Sequence, residues 1–274
     1  MAEDEAMDIA RRIISSDPVD RAALIDLMDR LLPVVTSRLA AASLESPRVI
    51  IVGCARSDHA NDGELTVRSG RRAWIWLPPS PESSERRTWT AAHDLGHLLL
   101  QAGAGWRLMA DSTAGERLVG EYLAERLARE IVDEAGLARA PLVYDTAYIE
   151  GAPDLWLFAC RKAGKILDGR GVPADPARVR EAVRLVARAY AYALPQALAG
   201  EPAAVKLTSW LADRPVLGAL VAPLTDAAVR LSTTASLAEL ATVQRTIGAA
   251  TEALLVAHFS GDALERALAP TSGD

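Results

Sequence analysis

The chain has 274 residues, half of them apolar and 24% charged, with a formal net charge of −6; this is the balance of a globular protein built as one enlarged domain or two small ones. The acidic balance and the absence of a dense Lys/Arg cluster argue against direct nucleic-acid binding, and no apolar run approaches the roughly 18 residues of a membrane span. The start, MAEDEAMDIA, has neither the basic residues nor the apolar core of a signal peptide, so a cytoplasmic protein is expected, with Cys54 and Cys160 reduced and buried.

Residues 7–42 read as helix. Ile9, Ile13, Leu24, Leu27, Leu31 and Val35 recur at helical spacing, with breaks expected near Asp17-Pro18 and Pro33. Arg48 to Val52 is then a β-branched run that ends at Gly53. Two further strand-like runs, Glu64 to Arg68 and Arg71 to Leu77, flank Ser69-Gly70 and predict a β-hairpin. Trp74 and Trp76 share one face of its second strand, and packing in the core or against a helix, rather than stacking on a ligand, is the expected use of that face. Prolines 78, 79 and 81 end the β region.

A helix should start near Ser83 or Ser84 and stop at Gly103. A second should follow Asp111, opened by a capping box of Thr113 and Glu116 and closed near Glu134 by Gly136. From Pro141 onward the chain is Ala-rich and helical, punctuated by prolines into short helices. The spans expected are 178–198, 205–211, 227–231 and, most distinctly, 236–258 with a capping box of Ser236 and Glu239.

The chemistry lies in His93-Asp94-Leu95-Gly96-His97. Residues i and i+4 share a helix face, so both imidazoles can serve one metal ion. Asp94 stands about 100° round the helix from His93, where H-E-x-x-H enzymes carry their general base. Gly96 leaves room for a second element to come close. Ala91, Ala92 and Leu95 to Leu100 mark the helix as buried. Two histidines and an aspartate would be costly there without a partner, which favours a metal over two core histidines on one face.

Two ligands from one helix need a third from elsewhere. In the next helix Glu116 is already engaged as a capping residue, and Glu125 stands four before Arg129, the spacing of a surface ion pair. Glu121 shares a face with the small residues Ala124 and Ala128 and is the candidate ligand; a solvated surface glutamate is the alternative. His59, in a polar loop, and His258, in the last helix, are expected to lie outside the site.

Arg87-Thr88-Trp89-Thr90-Ala91-Ala92-His93-Asp94-Leu95-Gly96-His97-Leu98-Leu99-Leu100 resembles the R-x-T-x-A-H-E-L-G-H-x-L-L segment of ImmA/IrrE-type metallopeptidases, with one extra residue between Thr88 and His93. Glu121-x-x-Ala124-x-x-Leu127-Ala128-x-x-Ile131-Val132 resembles that family's E-x-x-A-x-x-F-A-x-x-L-L helix. The hairpin and the Pro-rich turn before it also fit, so the resemblance covers about residues 48–135. It implies an α+β fold: a zincin-like core with a small antiparallel sheet and an active-site helix, followed by a mostly helical C-terminal half. The implied division is a helical segment at 1–46, a metal-binding domain at 47–140 and a helical domain at 141–274. It further implies that His93, His97 and Glu121 bind Zn2+, that Asp94 takes the general-base position, and that the substrate is a regulatory protein. A peptide could join the hairpin as an added strand, or the hairpin could serve as plain structural cover.

Asp94 departs from the family's glutamate. Its carboxylate is shorter by one methylene, roughly 1.5 Å, and a misplacement of about 1 Å can cost on the order of 10²-fold in rate. Three outcomes stay open: a hydrolase whose helix sits closer to the metal, a zincin-derived enzyme for a small molecule, or a non-catalytic metal-dependent sensor module. A minor alternative is an HD-type phosphohydrolase with His59 as an upstream ligand, but the hairpin conflicts with that all-helical fold. Oligomeric state and the role of residues 141–274 are open at this level.

Overall fold

The computed structural model describes residues 10–15, 17–54, 64–68, 72–77, 84–106, 112–138, 187, 190–212, 215–231 and 235–259. The His59 loop, the Ser69-Gly70 turn, Cys160 and the stretch from Pro141 to Glu181 lie outside the described residues. The strands are β1 (Ala10–Ile14), β2 (Val49–Cys54), β3 (Glu64–Arg68) and β4 (Arg72–Leu77). The helices are α1 (Pro18–Ala41), α2 (Ser84–Gly103), α3 (Ala114–Glu134), α4 (Pro202–Ala212), α5 (Pro215–Arg230) and α6 (Leu237–Phe259); residues 190–198 are also helical.

Two units emerge, and the boundary passes through α3 after Tyr122 and through α6 after Thr242. The first holds the sheet, α1, α2 and the later turns of α3. Its strand order is β1-β2-β4-β3. β1 runs parallel to β2, and β2 parallel to β4, while only the β3–β4 hairpin is antiparallel. The sheet is therefore mainly parallel, which corrects the antiparallel expectation. Two pairings make it so: β2 joins β4, the hairpin strand that runs in its own direction, and the N-terminus adds β1. Residues 10–14, expected as helix, pair as a strand with Val49 to Gly53, and α1 supplies the long crossover that a parallel pair needs. Asp17 then caps α1 by accepting from the Val19 amide at 2.8 Å, with Pro18 opening the first turn.

Pro33 does not break α1. It and Asp29 are exposed, so the carbonyl four residues back faces solvent rather than core. The opposite side of α1 buries Leu24, Met28, Leu31, Val35 and Leu39.

Alternation on the sheet buries Ile50 and Val52 of β2 and Ala73, Ile75 and Leu77 of β4. Ile50 pairs with Ala73 and Val52 with Ile75, so these residues form one continuous face. Trp74 points the other way and is half-buried. α2 packs on α1 and beside β3 and β4. Three ion pairs, the one to Glu134 exposed on the carboxylate side, tie the helices together. Arg87 of α2 reaches Asp20 of α1 at 3.0 Å. Arg38 of α1 binds Glu130 of α3 at 2.7 Å and also pairs with Glu134.

The second unit holds the first turns of α3, residues 190–198, α4, α5 and the later part of α6. Its central contact is a close crossing of α3 and α6. A methyl group added at Gly115 would lie 2.1 Å from the Gly248 carbonyl oxygen, so only glycine permits this approach. Glu252 accepts from the Gly115 amide at 2.8 Å, and Gln244 donates to the Glu116 carbonyl at 3.2 Å. Both capping boxes form as expected: the Thr113 amide donates to Glu116 at 2.9 Å, and the Ser236 amide to Glu239 at 2.7 Å. Pro202 and Pro215 open α4 and α5 at first-turn positions, where a missing N–H costs nothing, whereas Pro223 lies inside α5.

Candidate metal centre

α2 forms where the sequence places it. Its apolar residues, Ala91, Ala92, Leu95, Leu98 and Leu99, are fully buried. That burial fixes the rotation of the helix and therefore the direction of His93 and His97. Their rings lie edge to face, with centroids 4.8 Å apart and planes at 86°.

α3 crosses α2 at Gly96. A Cβ there would stand 2.6 Å from the Ala124 carbonyl oxygen, closer than any side chain allows. The expectation that Gly96 admits a neighbouring element holds, and that neighbour is α3. Glu121 lies three residues before Ala124 on the same unbroken helix, so the Gly96 crossing also sets its place against α2. Glu121 is buried. His93, His97 and Glu121 each offer a ligand atom, and these atoms lie within 4.8 Å of one another. Together they form a group that can hold a metal ion.

The donor set suits a metal for a second reason, which the sequence reading missed. Glu125, expected on the surface, is only 5% exposed. One of its oxygens lies 2.9 Å from His93 Nδ1, and the other accepts from Trp89 Nε1 at 2.8 Å. A carboxylate on Nδ1 fixes the tautomer with that nitrogen protonated, places the ring's lone pair on Nε2 and raises its basicity. Two histidines merely sharing a core face would not call for this arrangement. Glu125 follows Glu121 by four residues, so both share the face of α3 turned to the histidines. That spacing was the available signal, and the Arg129 partner suggested by sequence obscured it.

Glu121 has its own partner: Tyr192 donates its hydroxyl to Oε2 at 2.8 Å. Asp94, next to His93, is 4% exposed, and its carboxylate is therefore shielded from bulk water. Gln101 stands one turn beyond His97 and seven residues beyond Asp94, spacings that keep it on the same side of α2. It is buried, and neither end of its amide has a hydrogen-bond partner among the described residues. The backbone of His258 belongs to α6, whereas the metal group is built from α2 and α3 alone. Among the described residues no helix is long and apolar enough to cross a membrane. No protein-family model matches the chain, and it has no match among curated proteins or solved structures.

Proposed function

We propose that the protein is a zinc-dependent hydrolase that cleaves a peptide bond in a regulatory protein substrate. His93, His97 and Glu121 hold the ion, and Asp94 is the proton acceptor. The observation that carries this reading is the convergence of the three ligand atoms within 4.8 Å from two helices locked together at Gly96. A set of three protein ligands mixing imidazole and carboxylate is the make-up of zinc sites that keep a coordination position open for chemistry. Structural sites are closed by four protein ligands.

A bound zinc ion supplies Lewis-acid polarisation of a carbonyl oxygen and makes water a stronger acid. The chain's residues do the rest. Glu125 orients His93 through Nδ1, and Trp89 keeps Glu125 from turning away. Asp94, carried by the same helix turn as His93, takes a proton from water as general base and returns it to the leaving amine. β3 stands at the open end of the strand order, with α2 packed beside it. An extended peptide adding to that edge would run along the sheet next to the metal helix.

Metal analysis of the purified protein tests the reading. About one equivalent of zinc per chain is expected, and it should be lost in the His93→Ala/His97→Ala double variant. Less than about half an equivalent of any divalent ion, unchanged in that variant, would sink the proposal. Asp94→Asn should retain the metal yet abolish turnover of a peptide library, and Asp94→Glu should raise it. Full activity in Asp94→Asn would remove Asp94 from the role of base and favour a site in which the metal-dependent module acts without it.

A further inference from the structure

Glu121 is the only member of the metal group contributed by α3, and it is held from a part of the chain with no other assigned role. Tyr192 lies in helical residues 190–198, and its hydroxyl donates to Glu121 Oε2 at 2.8 Å across 71 residues of sequence. The helix that carries Tyr192 is firmly seated. Ala191, Ala193 and Leu194 are buried beside it, and two residues earlier Tyr190 bonds Thr225 of α5 at 2.9 Å. The phenol therefore stands at a fixed point, not at the end of a freely moving loop.

Carboxylates can ligate an ion through one oxygen or through both. A hydrogen bond to one oxygen occupies one of its two lone pairs, lowers its donor strength toward a metal and orients the other oxygen. In catalytic sites such partners fix ligand geometry and keep positions free for water and substrate. We propose that Tyr192 is a positioning residue for the metal group: it holds Glu121 by one oxygen, commits it to single-oxygen ligation, and so makes the affinity of the site depend on the C-terminal helices. This inference rests on the metal reading of His93, His97 and Glu121. It gives the helical C-terminal half a function, which is to complete a ligand supplied by α3.

The test uses the full chain and compares Tyr192→Phe with Tyr190→Phe. Both lose one phenol hydroxyl from the same short helix, but only the first touches Glu121. Zinc affinity is measured by competition with a chromophoric chelator. Tyr192→Phe is expected to bind zinc about 10- to 100-fold more weakly, the usual cost of removing a ligand's outer partner. Tyr190→Phe should stay within about twofold of the wild type, because its hydroxyl partner is no ligand. The visible spectrum of the cobalt-loaded protein should change in Tyr192→Phe and not in Tyr190→Phe. Equal zinc affinity and an unchanged cobalt spectrum in Tyr192→Phe would overturn the inference, as would an equal loss in Tyr190→Phe. If Tyr192→Phe does not fold, 3-fluorotyrosine placed at position 192 keeps the hydroxyl and reports by fluorine NMR. Its resonance should move on zinc addition, and a resonance that zinc leaves in place overturns the inference. A wild-type chain that binds neither zinc nor cobalt instead overturns the metal reading itself.

Discussion

Replacing Gly96 with alanine perturbs the close backbone approach of α2 to α3. The added Cβ would lie 2.6 Å from the Ala124 carbonyl oxygen, 3.1 Å from its Cα and 3.2 Å from its carbonyl carbon. All three are backbone atoms in the middle of a helix, so no side-chain rotation relieves the clash. Restoring ordinary contact at 3.4 Å requires the helices to part by about 0.8 Å, that is 3.4 minus 2.6. Overpacking of this kind costs about 1–3 kcal/mol, and alanine recovers about 1 kcal/mol of helix propensity over glycine. The net expectation is a loss of roughly 0–2 kcal/mol in urea unfolding. The effect on the site should be larger than the effect on the fold. His93 and His97 flank Gly96 on α2, and Glu121 lies one turn from Ala124 on α3, so the parting opens the ligand group directly. Zinc affinity should fall by at least about tenfold, as when a ligand's supporting contact is lost. A Gly96→Ala protein as stable as the wild type, with unchanged zinc affinity, would refute the close crossing and the metal geometry that depends on it.

Other outcomes follow from the same coordinates. Glu125→Gln keeps the shape of the side chain but removes the charge on His93 Nδ1, and zinc affinity should drop about 10- to 100-fold in a competition titration; unchanged affinity would mean that Glu125 only packs. Gln101→Leu exchanges a buried amide with no hydrogen-bond partner among the described residues for an apolar side chain of similar size. Thermal unfolding should show a gain on the order of 1 kcal/mol, and a clear loss would show that the amide has a partner in solution. Glu239 accepts from the backbone amide and hydroxyl of Ser236, in that order of weight, and this holds its pKa below the ordinary glutamate value of 4.5. Its cap is therefore fully formed above that value and is lost as pH falls through the lower folded-state pKa. The stability difference between wild type and Glu239→Gln should shrink on acidification below pH 4.5, measured by unfolding across pH; a constant difference would rule out the linkage.

Much of the candidate site was legible without the fold because its terms are short in sequence. The four-residue spacing of His93 and His97, the Thr113/Glu116 box that removed Glu116 from contention, and Gly136 with its positive φ of 62° after α3 all involve groups within one or two turns. Helix geometry alone relates such residues, and no distant partner can change the relation. Glu121 followed by elimination, and its neighbours Ala124 and Ala128 rightly indicated a close helix crossing. Glu125 was misplaced because its spacing to Arg129 also fits a surface pair. Which of two faces a residue occupies depends on the rotation of the whole helix, and that is set by burial rather than by one pair.

The HDLGH turn was thus determined by sequence as two imidazoles on one helix face, together with α2, α3 and α6, the capping boxes of the last two and the glycine that admits a neighbour. Strand direction was not: residues 10–14 become a strand only by pairing with Val49 to Gly53, and β2 joins the hairpin through β4 rather than β3 only in the assembled sheet. The face of β4 that enters the core was likewise undecided, since both of its faces are apolar and only the layer of helices selects one. The partners of the ligands were beyond reach for the same reason: Glu125 meets His93 across 32 residues and Tyr192 meets Glu121 across 71. Local geometry built each half of the metal group, and only the packing of α2 on α3 brought the halves within bonding reach of one ion.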